Sequence, residues 1–202
     1  MELVDEVNKL RNYFDRIDSV RENLVKRSRD FLQLCRRVVH GCVKGDNVDA
    51  LVMSLENMYR ELVETVRNVP ELLYSGLFYS IASEYVEAME LYSIIKNREL
   101  LGIERLDVHP IPFVLGLADL IGELKRVSLE YVRLERYREA MEFMEIAENI
   151  YDALSSLSYT DAVIPGFRRK IDVYRKVIDD WKELMIDLMS RYELKNIIRR
   201  NV

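Results

Sequence analysis

Four carboxylates stand out by their spacing. Glu84 and Glu87 lie three residues apart, and Asp119 and Glu123 lie four apart. On helices each pair shares one face. Like charges held side by side repel mildly, so something should compensate each pair. If the two helices pack antiparallel, the four acids make an oxygen-rich site suited to Mg2+ or Mn2+. Such a site can activate water and stabilise a phosphodiester transition state. The plainer reading of the same spacing is a set of solvated or arginine-paired acids. Charged residues make up 32% of the chain, so such pairs arise often by chance. Spacing alone leaves both readings open.

The setting of the second pair is informative. It lies in Gly116-Leu117-Ala118-Asp119-Leu120-Ile121-Gly122-Glu123-Leu124. At about 100° per residue, Pro112, Asp119, Glu123, Arg126 and Glu130 share a narrow stripe. Apart from Lys125 and Ser128, the remaining positions up to Leu129 are apolar or Gly. A helix apolar on most sides is largely buried. Its acidic stripe must then face a cavity, an interface or a partner charge.

A basic constellation lies nearer the start of the chain. Lys26, Arg29, Arg36, Arg37, His40 and Lys44 fall within one stripe about 100° wide, with Gln33 among them. The opposite face carries Phe31, Leu34, Cys35, Val38 and Cys42. The cationic face is either a solvated surface or a track for a phosphate backbone. A second basic cluster follows at Arg168, Arg169 and Lys170, then Arg175 and Lys176. The sequence has no Gly-rich phosphate loop, no Cys or His metal cluster and no G-x-S-x-G elbow.

Long helices must position these residues. Only 7 Gly and 4 Pro punctuate 202 residues, and 49% are apolar. The periodicity predicts helices over about Leu3 to Val43, Val48 to Asn68, Pro70 to Leu100, Pro112 to Leu134, Tyr137 to Ser156 and Phe167 to Ile198. The last could be broken near Tyr192. Gly45 is a candidate C-terminal cap, with Asp46 or Asn47 capping the next helix. Gly102 to Pro112 and Tyr159 to Gly166 read as irregular connections. No strand-like alternation and no separating linker appear, so residues 1–202 read as a single all-α domain, a bundle of about six or seven long helices.

The net charge of −5 disfavours a uniformly basic surface and leaves room for a local basic patch. Cys35 and Cys42 lie about 10 Å apart along a helix, too far for a disulfide. Buried reduced thiols fit a cytoplasmic protein. The stretch Met1 to Glu6 is acidic and amphipathic, unlike a secretory signal. No apolar run reaches the roughly 18 residues of a membrane span.

Taken in order, several segments are similar to the translin family. Arg21-Glu22-Asn23-Leu24-Val25-Lys26-Arg27-Ser28-Arg29-Asp30 resembles the family's early motif. Leu100-Leu101-Gly102-Ile103-Glu104 resembles the phrase before its central helix. Glu84-Tyr85-Val86-Glu87-Ala88 is closer to the translin-associated factor X branch. The most specific is Leu115 to Arg126, similar to that branch's G-x-A-D-L-T-G-E-L-x-R, with Ile121 where Thr is usual. Weaker similarity continues from Phe167 to Asp172 and beyond.

The resemblance implies an all-helical protomer and a homo-oligomer, commonly an octameric shell with nucleic acid inside. For the factor X branch it implies metal-dependent cleavage of single-stranded RNA. The branch's catalytic acids then fall on Glu84, Glu87 and Asp119, with Glu123 as a fourth metal ligand. The expectation is a Mg2+- or Mn2+-dependent endoribonuclease whose helix-one bases hold single-stranded RNA or DNA. The alternatives are a non-catalytic, translin-type binding oligomer and a helical scaffold whose acids and bases pair with one another. Whether one chain supplies both the translin and the factor X roles stays open.

Overall fold

The computed structural model describes residues 2–200; Met1, Asn201 and Val202 lie outside them. Among the described residues there are eight helices and no strand. These are α1 (Glu2–Lys44), α2 (Asp49–Val66), α3 (Pro70–Leu73), α4 (Gly76–Asn97), α5 (Ile103–Leu106), α6 (Pro110–Arg133), α7 (Tyr137–Ser155) and α8 (Phe167–Arg200). The all-helical reading of the sequence holds.

The differences lie at the breaks. The helix expected from Pro70 to Leu100 is two helices. Ser75 interrupts it: its Oγ donates to the Leu72 carbonyl at 2.6 Å and accepts from Phe78 N–H at 3.2 Å. A serine that bonds the backbone in this way ends one helix and caps the next. The expected irregular stretch after Gly102 contains the short α5, entered at Gly102 with φ 80° and left at Asp107 with φ 49°. α6 starts two residues earlier than expected, at Pro110, because His109 caps it; its Nδ1 accepts from Ile111 N–H at 3.3 Å. α8 runs through Tyr192 without a break. Gly45 closes α1 at φ 77°; the cap position of α2 falls on Val48 and not on Asp46 or Asn47, while Asn47 Oδ1 accepts from Asp49 N–H at 3.0 Å.

α6 is the central helix. It packs against α4 and α7, and more lightly against α8 and α1. Leu120, Ile121, Leu124 and Val127 of α6 are fully buried with Val86 and Leu91 of α4, Phe143 of α7 and Trp181 of α8. α1 lies across α2 and α4, burying Leu24, Phe31, Cys35 and Val38. One glycine sets the α4–α6 distance. A Cβ at Gly116 would stand 2.6 Å from the Ser83 carbonyl oxygen and 2.7 Å from Val86 Cβ. Glu90, fully buried, ties the α4–α5 connection back by accepting from Leu101 N–H at 2.7 Å and Gly102 N–H at 3.1 Å.

Two helix ends keep apolar side chains in solvent: Leu3, Val4, Leu10 and Phe14 on α1, and Ile186, Leu194, Ile197 and Ile198 on α8. Among the described residues, no helix is long and apolar enough to cross a membrane.

Candidate nucleic-acid and carboxylate site

The close approach at Gly116 brings the two acid pairs together. Glu84 and Glu87 sit half-buried on α4, Asp119 and Glu123 half-buried on α6. Burial pushes the Glu87 carboxyl up from its ordinary 4.5 to about 8, and the negative charges of Glu84, Asp119 and Glu123 push the same way. Glu84 is raised too, first by burial, then by Asp119, while Arg36 and Lys170 oppose the shift. The four acids therefore share one electrostatic environment, as their spacing allowed.

They are not equally free. Lys170 of α8 donates to both carboxylate oxygens of Asp119, and Tyr174 donates to Oδ1 at 3.1 Å. Arg126 Nη1 donates to both oxygens of Glu123, at 2.8 and 2.7 Å. Among the described residues, Glu84 and Glu87 have no hydrogen-bond or salt-bridge partner. The salt-bridge reading thus fits Asp119 and Glu123, and it fails for the α4 pair.

The basic face of α1 is exposed along its length, with Lys26, Arg29, Arg36, Arg37, His40 and Lys44 all in solvent. The structure divides that stripe. Arg36, Arg37 and His40 line a cleft of about 820 Å3 whose other wall carries Glu84, Glu87, Glu123 and Arg126. Lys26 and Arg29 lie further up α1, outside that lining. Lys44 instead reaches Glu130 at 3.8 Å. A second cleft, of about 420 Å3, is lined by Glu84, Asp119 and Lys170. Glu84 lines both clefts and so stands between them.

The sequence reading missed Tyr174 altogether and the pairing of Lys170 with Asp119. Lys170 belongs to the second basic cluster, with nothing local to tie it to Asp119, which is 51 residues away. Tyr174 follows it by one helical turn, and burial, then the Asp119 charge, raises its hydroxyl's pKa. The one local signal is the four-residue spacing of Lys170 and Tyr174, which puts both on one face of α8. Tyr174 also packs on Gly122, where a Cβ would lie 3.5 Å from its ring.

A divalent cation suits this donor set in chemistry. The donors are all carboxylate oxygens, and among the described residues no cation is bonded to the α4 pair directly, a place a hard cation can take. As they lie, however, no three such groups among the described residues are gathered tightly enough to hold one ion. Closing on an ion requires side-chain rotation and competition with Lys170 and Arg126.

The chain matches the Translin family over residues 15–189. An uncharacterized protein of Methanocaldococcus jannaschii is 28% identical over 200 residues, covering 98% of this chain and 89% of that protein. Among solved structures, AfC3PO in complex with duplex RNA is similar at a TM-score of 0.82 and 24% identity, covering 92% of this chain and 97% of that one. AfC3PO crystallised separately gives 0.77 at 25% identity, covering 92% and 98%. The apo form of NeC3PO gives 0.74 at 22%, covering 90% and 96%.

Proposed function

The chain belongs to the translin family, and on that premise we propose that it binds single-stranded RNA and cleaves it with a divalent metal. The observation that carries this reading is the larger cleft, which sets Arg36, Arg37 and His40 opposite Glu84, Glu87 and Glu123. The cationic wall holds the phosphate backbone by charge, releasing counterions as it does so. Glu84, Glu87 and Glu123 of the acidic wall, with Asp119 of the adjoining cleft, would hold Mg2+ or Mn2+. When bound, such an ion supplies Lewis acidity and an activated water for phosphodiester hydrolysis. Lys170 and Tyr174 hold Asp119 in place against α8. Arg126 does the same for Glu123 within α6.

Three supporting points extend the reading. AfC3PO has been captured with duplex RNA, which favours RNA over DNA as the ligand class and makes duplex a necessary comparison. The exposed apolar ends of α1 and α8 favour a homo-oligomer, with the family's octameric shell as the expected form. Cys35 and Cys42 are buried free thiols, in keeping with a reducing cytoplasm.

A second reading is a non-catalytic binder of single-stranded RNA or DNA. It is favoured by the occupation of Asp119 by Lys170 and of Glu123 by Arg126. One experiment separates the two. Purified protein is incubated with labelled single-stranded RNA, with Mg2+, Mn2+ or chelator. The nuclease reading expects cleavage that needs metal and is lost in Glu87→Gln and Asp119→Asn while RNA affinity persists. Binding without cleavage under every metal condition moves the conclusion to the binder.

A further inference from the structure

The smaller cleft has a feature that metal chemistry does not use. Its lining joins Glu84, Asp119 and Lys170 to two aromatic residues, Tyr74 and Tyr79. Tyr74 is 58% exposed at the end of α3. Tyr79 lies in the first turns of α4. His109, capping α6, braces both: its ring stacks on Tyr79 at 5.1 Å and 18°, and meets Tyr74 edge-on at 5.7 Å and 68°. Three helix ends thus hold two aromatic residues of the cleft lining together. Among the described residues, neither tyrosine hydroxyl has a hydrogen-bond partner.

We propose that this cleft is a nucleobase site, which takes one unstacked base of the strand whose phosphates lie along Arg36 and Arg37. The inference rests on the nucleic-acid reading above and adds a subsite to it. Flat, braced aromatic surface is what a base stacks on, and stacking tolerates any base because each has a π-face. A volume of about 420 Å3 lies within the roughly 300–1,000 Å3 of clefts that hold small molecules, with room for one base and its sugar. Glu84 lines both clefts, so a chain whose backbone follows the basic wall can place the neighbouring base against the tyrosines. A base inside an intact duplex is already stacked and paired, and reaching the cleft would require breaking that stack. The site therefore selects for single strands, frayed ends and bulges.

The test measures binding by fluorescence anisotropy in chelator, so that cleavage plays no part. The probes are a short labelled single-stranded RNA and a chain of equal length with abasic ribose at every position. The parent should bind the base-bearing RNA more tightly than the abasic chain. Tyr74→Leu should weaken binding of the base-bearing RNA by about 10-fold or more, leave the abasic chain unaffected, and keep the parent melting temperature. Tyr74→Phe, which keeps the ring, should keep the affinity. Equal binding of the two probes by the parent, or an unchanged or equal loss on both in Tyr74→Leu, overturns the base site. In those cases salt-sensitive binding of both probes leaves the phosphate track standing. A parent that binds neither probe overturns both.

Discussion

Glu87 offers the sharpest test of the carboxylate cluster, because its environment makes an unusual demand on the fold. Its carboxyl is raised from 4.5 to about 8 by burial and by three neighbouring acids. Below about pH 4.5 the group is protonated in both folded and unfolded chains, and nothing is lost. As pH rises toward 8 the unfolded carboxyl ionises freely while the folded one resists. Stability therefore falls through this window and levels off above it. A shift from 4.5 to about 8 corresponds at most to about 5 kcal/mol. Part of it will be shared with Glu84, which feels the same field.

Glu87→Gln keeps the shape and removes the charge, so it should remove this slope. In chelator at fixed protein concentration, parent and variant are melted at pH 5, 7 and 9, following the fluorescence of Trp181, the sole tryptophan and fully buried. The variant should gain on the parent as pH rises. The gap should reach several kcal/mol at pH 9, or about 10 °C in a domain of this size. Adding Mn2+ should then raise the parent's melting temperature and leave the variant's unchanged, since only a ligand that binds the folded form stabilises it. A gap that stays constant with pH, or a variant that loses ground toward pH 9, refutes the argument that burial and the neighbouring acids hold the Glu87 carboxyl up.

Gly116→Ala gains about 1 kcal/mol of helix propensity, but its Cβ would meet a backbone oxygen at 2.6 Å and a β-branched carbon at 2.7 Å. Neither can rotate away, so a net loss of about 1–3 kcal/mol is expected by chemical denaturation. Replacing Arg36 and Arg37 by Ala should weaken RNA binding and flatten its salt dependence, whereas the same change at Lys26 and Arg29 should do less. Equal losses in the two variants would spread the track along all of α1. The chain should sediment as a homo-oligomer, and Leu10→Glu with Phe14→Glu should shift it toward smaller species. A parent with only the 23.9 kDa mass of one chain at micromolar concentration would remove the shell.

Much of this protein was written locally. Helix identity follows from periodicity and scarce breakers, so the amphipathic split of α1, with Phe31, Cys35 and Val38 buried opposite Arg36 and Arg37, could be read from spacing. The acid pairs were legible for the same reason: residues three or four apart on a helix must be neighbours. The ordered motifs from Arg21 to Arg126 carry the family's signature in the sequence itself.

What spacing could not decide was who answers each charge. Lys170 reaches Asp119 because α8 packs against α6, and Arg36 faces Glu84 because α1 crosses α4; neither relation has a sequence period. Tertiary packing also split the basic stripe, turning Arg36, Arg37 and His40 toward the acids and Lys44 toward Glu130. The break at Ser75 follows from two side-chain-to-backbone bonds and the cap at His109 from one, and such a cap competes with helix propensity by only about 1 kcal/mol. So small a margin is settled by the surrounding packing. The same two positions bring Tyr74, Tyr79 and His109 together, residues that periodicity alone would have left on unrelated turns.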